Sequence, residues 1–404
     1  MAALTLTTRV EDLGLAAIEV EAVAALLAER VADGTLHGGV LGLARCGVLH
    51  LQTFGSSPPP NANNTAGLRD ALPIVPDSIF LVASVTKPVT CCAVMQLVDK
   101  GLLSLDQKVV ELLPEFGRDT AAAPEACARV TLRHLLTHTS GLPDGIPENQ
   151  EYRQRLAPLA DFTRRMCKLP LAFPAGTDIS YQSAGINLLA EIVQRVSGEP
   201  LPAYLRHHIF GPLGMDDTSL ARVGGGSKAR EIACNIDEGG GQTADQAKAV
   251  LLTSNSAADV HCNWNSDYWR GFGAPWGGMT TTAADYSSFL QAFIYGGALL
   301  SQGAAVRIIE ANTATQMVTD QTTTMEGMSP SSAAEQAYGL GWRLNGSTAA
   351  PWGQRGGERV FGHGGATGAS VFADPASGLS VCLFTTEPTL GTTTLIPTVR
   401  TDPC

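Results

Sequence analysis

Charge is scarce in this 404-residue chain: Asp, Glu, Lys and Arg make up only 16% of it, and basic residues never cluster beyond the pair Arg164-Arg165. With a formal net charge of -11, no surface suited to a polyanion is expected, which excludes nucleic acid and anionic membrane as partners. Long apolar runs are also missing. No uninterrupted stretch approaches the roughly 20 residues of a membrane span. The N-terminus lacks the basic region and apolar block of a signal peptide, so a cytoplasmic compartment is expected. The nine cysteines are odd in number and scattered, without the spacing of a zinc site or a disulfide framework, and are expected to be reduced with no metal bound. What is abundant is apolar content, 44%, enough for a large buried core.

The order of local patterns suggests one architecture. A helix is expected over about 16–33, then two strands around a Cys46-Gly47 turn, then a surface loop over 56–77 leading to the strand-like SIFLVAS. From 88 to about 320 helices dominate, the clearest over 88–100, 131–138, 184–197 and 201–214, with a Gly-rich loop over 223–242. From 338 onward YGLGWRL, RVFGHGGATGASVFADP and LSVCLFTTE alternate like antiparallel strands. No linker and no internal repeat divides the chain. The expected fold is α/β (α+β), a single catalytic domain over 1–404. Its α/β lobe takes about 1–80 plus 330–404, its mostly helical lobe about 84–325, and the site lies in the cleft between them.

The chemistry concentrates at Ser84-Val85-Thr86-Lys87. A serine hydroxyl must lose a proton to become a nucleophile, and a lysine one turn away can take that proton if burial lowers its pKa. Pro88 is tolerated only in the first turn of a helix, so an amphipathic helix should begin at or just after Ser84. Its free amides would then face a developing oxyanion. Taken alone, the tetrad reads more readily as a serine N-cap than as a catalytic pair.

Two later motifs add to it. Tyr181 stands in Asp178-Ile179-Ser180-Tyr181-Gln182-Ser183, between a Pro174-Ala175-Gly176 turn and a helix starting near Ala184; a phenol beside an amine can shuttle a proton between nucleophile and leaving group. Gly362-His363-Gly364-Gly365-Ala366-Thr367-Gly368 opens a strand with four glycines in seven residues. Glycines there let a substrate lie against the strand, an amide in the run can be a second oxyanion donor, and His363 can orient the substrate or the tyrosine.

In this order and at these separations the three motifs resemble the class C β-lactamase-like serine hydrolases, a superfamily that includes DD-peptidases and family VIII carboxylesterases. LRHLLTHTSGLP at 132–143, PWGGMTTTAADYSSFL at 275–290 and YGLGW at 338–342 carry the resemblance across about residues 35–390. It implies a β-lactamase/transpeptidase-like fold, an antiparallel sheet flanked by helices. It further implies acylation of Ser84, general-base and general-acid work shared by Lys87 and Tyr181, an oxyanion hole from the backbone amides of Ser84 and Ala366, and no cofactor.

The departures from the family pattern narrow the substrate. The tyrosine motif ends in Ser183 where β-lactamases usually carry asparagine, and the last motif reads His363-Gly364-Gly365 where they read Lys-Thr-Gly. A histidine is mostly neutral at pH 7, so a substrate without a carboxylate is expected, contacted by Ser183, His363, Gly364, Gly365 and Trp276. Trp264, Tyr268, Trp269, Phe272 and Trp276 together favour an apolar acyl pocket. The expected activity is hydrolysis of small short-chain esters, with the ester as the one small-molecule partner. A β-lactamase, DD-peptidase, acyltransferase or catalytically silent scaffold of the same superfamily stays open.

Overall fold

The computed structural model describes residues 4–57, 73–118, 124–221, 262–301, 304–345 and 359–387. Among these residues seven strands form one sheet, ordered across its width as Thr5–Thr7, Val48–Gly55, Gly38–Arg45, Leu379–Thr385, Ala369–Asp374, Phe361–Gly365 and Arg343–Leu344. Three come from the start of the chain, β1 (Thr5–Thr7), β2 (Gly38–Arg45) and β3 (Val48–Gly55). Four come from its end, β8 (Arg343–Leu344), β9 (Phe361–Gly365), β10 (Ala369–Asp374) and β11 (Leu379–Thr385). The two ends meet where β2 pairs with β11, Val40 opposite Phe384 and Gly42 opposite Cys382. A sheet built from both ends of the chain is what the alternating patterns predict. It is mixed, though, because β1 runs parallel to β3 while the other neighbours run antiparallel.

Both faces of this sheet are buried, and the period-2 alternation of strand side chains sorts them into two cores. Along β11, Leu379, Val381 and Leu383 join the core beneath the helix Ala17–Ala32. Cys382 and Phe384 join the larger core on the helical side. Gly42 matters here: a Cβ on it would lie 3.4 Å from both Ala283 Cβ and Ser287 Oγ, so its bare backbone lets the helix Ala283–Ile294 lie close on the sheet.

At the centre of the helical side is the helix Lys87–Asp99, packed against the helix Ala184–Ser197. The amphipathic pattern predicted for the first of these is not what the structure holds. Every residue from Lys87 to Leu97 is buried, and its polar donors find internal acceptors: Thr90 Oγ1 donates to Pro275 O at 2.7 Å, and Gln96 Nε2 donates to His208 O at 3.0 Å and Ile308 O at 2.7 Å. A helix enclosed on all sides needs such partners for its donors, and here backbone carbonyls from distant segments supply them.

Other departures are confined to single segments. The segment 201–214 is a short helix, Leu201–Leu205, continued by a π-helical turn, Arg206–Phe210. Of SIFLVAS, two residues form β4 (Phe80–Leu81), which pairs with β5 (Thr280–Thr281). An unanticipated hairpin, β6 (Ala298–Ser301) with β7 (Ala304–Arg307), lies within the predicted helical stretch. The expected loop over 223–242 and most of that over 56–77 fall outside the described residues. Cys91, Cys92, Cys127, Cys167, Cys262 and Cys382 are buried thiols. Cys46 is disulfide-bonded, which corrects the expectation of a fully reduced set. Among the described residues no helix is long and apolar enough to cross a membrane, and no cluster of His, Cys, Asp or Glu is arranged to hold a metal ion.

Candidate active site

Ser84 enters the site at the end of a short connection. After β4 the amide of Val82 donates to Met279 O at 3.1 Å, and Ala83 takes φ 43, a left-handed conformation that costs a non-glycine residue roughly 1 kcal/mol or more. A 3-10 turn over Ala83–Thr86 follows, and the α-helix begins only at Lys87. The α-helix thus starts within one residue of the expected span 88–100, and Ser84 lies in the 3-10 turn ahead of it. The sharp turn leaves Ser84 half-buried where its neighbours are fully buried.

Lys87 Nζ lies 3.0 Å from Ser84 Oγ and 3.1 Å from Trp276 O. Its side chain is 1% exposed. Burial pushes the amine down from 10.5 to about 7; the carboxylate of Asp144 resists this fall and the guanidinium of Arg343 adds to it. About half of the amine is thus free of its proton at neutral pH, the condition that a Ser-Lys pair requires.

The phenol of Tyr181 hydrogen-bonds Ser84, and burial pushes its pKa above the ordinary value. The Tyr181 ring faces Lys87, with Nζ 4.7 Å from its centroid. Because the amine is shifted down and the phenol up, the two are not interchangeable at neutral pH. Lys87 is the group able to accept a proton, and Tyr181 the one able to donate it.

The glycine-rich run closes against this pair. Gly365, the last residue of β9, would place a Cβ 2.3 Å from Val82 O, so only glycine lets β9 come this close to the nucleophile's segment. Ala366 and Thr367 follow in the turn, and Thr367 Oγ1 donates to Leu81 O at 2.7 Å. The turn carrying Ala366 is thereby tied to the strand leading to Ser84. Gly364, Gly365 and Ala366 are half-buried.

His363 is placed differently from a substrate contact. It is 1% exposed, its ring centroid 5.9 Å from that of Tyr181. Its Nδ1 donates to Gly364 O at 2.7 Å, while Nε2 is buried without a partner among the described residues. Burial, with Arg343 and Lys87 nearby, holds the imidazole well below its usual range and uncharged. Of the two roles expected for it, orienting the tyrosine is the one this position favours. Ser183 stands before the helix Ala184–Ser197 without capping it through its side chain; its amide donates to Asp144 O at 3.1 Å.

The aromatic group is one connected cluster. Trp276 meets Trp269 and Phe272 edge-on at 6.4 and 6.1 Å, Trp269 stacks on Phe272 at 5.5 Å, and Trp264 stacks on Trp269 at 6.1 Å. Trp269 and Phe272 are core residues. Trp276 is half-buried, and its carbonyl accepts from Lys87.

Three residues escaped the sequence reading. Arg343, the residue directly after YGLGW, has its guanidinium 5.1 Å from the Tyr181 ring and 5.4 Å from that of Tyr338. The inference that the site lacks a strong cation treated His363 as the one group available for that task; a strand neighbour, paired with Gly362 in β8, brings another. Asp144, after TSGLP, is exposed yet close enough to raise the affinity of Lys87 for its proton. His138 lies inside LRHLLTHTSGLP, a segment recognised as a motif without a task.

With this geometry in view, comparison with known proteins is informative. The family described as Beta-lactamase matches residues 23–395. The N-acetylmuramyl-L-alanine amidase of Bacillus subtilis (strain 168) is 28% identical over 319 residues, 77% of this chain and 68% of the amidase. Esterase EstB of Burkholderia gladioli is 39% identical over 156 residues, 36% of this chain and 39% of EstB. The crystal structure of a family VIII carboxylesterase superposes with a TM-score of 0.66 at 20% identity, covering 93% of this chain and 94% of that one; at that identity it shows the fold alone.

Proposed function

This chain belongs to the β-lactamase family of serine hydrolases, and from that premise we propose that it is a carboxylesterase that cleaves small, short-chain esters through an acyl-enzyme on Ser84. The observation that carries the reading is the buried Lys87 amine 3.0 Å from Ser84 Oγ and shifted to about 7. In acylation Ser84 passes its proton to Lys87 as Oγ bonds the ester carbonyl carbon. The oxyanion faces the amides of Ser84 and Ala366. As the tetrahedral intermediate collapses, the C–O bond to the alcohol breaks and the phenol of Tyr181 supplies the alcohol's proton, which Lys87 replaces. Water then attacks the acyl carbon, passes its proton back through the same pair, and releases the acid with Ser84 restored. No cofactor is needed for these steps. The cytoplasm is our proposed compartment: six cysteines are buried thiols among the described residues, while the disulfide at Cys46 counts against it.

The esterase reading is supported by the likeness to EstB and by the aromatic cluster beside Lys87. Purified protein assayed on a short-chain nitrophenyl ester tests it. Wild type should turn over with Ser84 labelled by a fluorophosphonate, and Ser84→Ala should lose both properties; equal rates in the two proteins would sink the proposal. One observation favours a second reading. Arg343 beside Tyr181 suits a substrate that carries a carboxylate, as a peptidase or amidase substrate does. Arg343→Met should leave a neutral ester's KM unchanged under the first reading, and raise the KM of a D-alanyl dipeptide or its ester selectively under the second.

A further inference from the structure

Tyr181 can donate a proton to the leaving group only if its phenol is held over Ser84, and it sits in an irregular loop, where side chains are poorly constrained. The residues on both sides of it are held by a single residue from another part of the chain. The carbonyl of His138 accepts the amide of Ser180 at 3.0 Å. The ring Nδ1 of His138 accepts the amide of Gln182 at 3.4 Å. The imidazole itself packs on Tyr181, ring centroids 4.8 Å apart, and against Tyr338 at 5.0 Å. The clamp depends on its backbone, because His138 takes φ 61, a left-handed conformation uncommon outside glycine and in which Asn, Asp and His are the enriched residues.

We infer that His138 is the positioning residue of Tyr181: its carbonyl, its ring nitrogen and its ring face together fix residues 180, 181 and 182, and so place the phenol over Ser84. The role requires Nδ1 to be an acceptor, so the imidazole must be neutral with its proton on Nε2. The Gln182 amide on Nδ1 sets that tautomer, leaving Nε2 buried without a partner among the described residues, and the surroundings enforce the absence of charge. The side chain is fully buried, and Lys87, His363 and Arg343 nearby all disfavour a further positive charge. The inference gives a task to the second His of LRHLLTHTSGLP and rests on the serine hydrolase reading above, in which Tyr181 is the proton donor.

The test is a double-mutant cycle built on two substitutions that both tolerate φ 61. His138→Gly keeps the backbone and removes the acceptor; His138→Asn keeps the backbone and offers Oδ1 where Nδ1 stood. Activity on a nitrophenyl ester and the rate of fluorophosphonate labelling at Ser84 are measured in the wild-type and Tyr181→Phe backgrounds, with melting temperatures alongside. His138→Gly is expected to lower kcat about 10- to 100-fold, the cost of a misplaced catalytic group, with little change in KM. In the Tyr181→Phe background, where no phenolic proton is left to place, the same change should cost less than about threefold. His138→Asn should recover most of the lost kcat. Equal fold-losses in both backgrounds would overturn the positioning role, as would a folded His138→Asn no better than His138→Gly. Should His138→Gly fail to fold, His138→Gln, whose acceptor lies one bond farther out, goes through the same cycle with the same two outcomes. A wild type that neither turns over esters nor labels at Ser84 removes the hydrolase reading and this inference together. Labelling with an additive cycle removes only the inference.

Discussion

The pH dependence of acylation is the sharpest consequence of the Lys87 environment. In water a lysine of pKa 10.5 is neutral in about three of ten thousand molecules at pH 7. Shifted to about 7 by burial, roughly half of Lys87 is neutral, a gain on the order of a thousandfold in available base. The free enzyme's kcat/KM should therefore rise tenfold per pH unit from about pH 5, bend near 7 and reach a plateau above it. Tyr181, shifted upward, does not titrate in this range. The sign of one perturbation is also set. The carboxylate of Asp144 favours the protonated amine, so Asp144→Asn should move the acid limb to lower pH and leave the plateau in place. Initial rates on a nitrophenyl ester between pH 5 and 9, with a Ser84→Ala blank subtracted at each point, measure both effects. A profile flat over that range, a midpoint above pH 9, or an Asp144→Asn limb displaced upward would refute the reasoning.

Two further outcomes follow from the same geometry. Lys87→Met should abolish activity yet stabilise the fold at neutral pH. A folded-state pKa depressed from 10.5 to about 7 corresponds to a penalty on the order of 5 kcal/mol. Losing the Ser84 and Trp276 contacts takes back about 1–3 kcal/mol. The unfolded state binds the proton more tightly, so the penalty is full below about pH 7 and fades as pH rises to 10.5; the advantage of the variant in denaturant titrations should shrink over that window, and a variant less stable than wild type at pH 7 contradicts the assignment. Gly365→Ala puts a methyl 2.3 Å from Val82 O, separating the Ala366 turn from the Ser84 segment. Its kcat should fall about 100-fold with the melting temperature lowered only modestly, whereas unchanged kcat would show that the close approach is not needed.

Local features of this protein were legible in its amino-acid order because they depend on neighbours in sequence. The alternation of LSVCLFTTE, the 3.6-residue period of the segment that becomes Ala184–Ser197, and the one-turn spacing of Ser84 and Lys87 are all short-range patterns, and the structure carries each of them. The joining of the two chain ends into one sheet was also readable, since only those ends carry strand patterns. What sequence spacing cannot encode is the environment of a side chain. That Lys87 is enclosed on every side, that Thr90 and Gln96 find backbone carbonyls far along the chain, and that His363 turns its ring to Tyr181 follow from packing between distant segments. The break in the helix over 201–214 likewise arose from context that the apolar period does not record. Arg343 and Asp144 were invisible as site residues for the same reason: their charges matter through proximity to Lys87 and Tyr181, set by a strand pairing and a loop contact between residues well separated in sequence. The order of residues determined which chemistry was available, a hydroxyl, an amine and a phenol. Tertiary structure alone decided which of them holds a proton at neutral pH, because burial and neighbouring charge, not residue type, set those affinities.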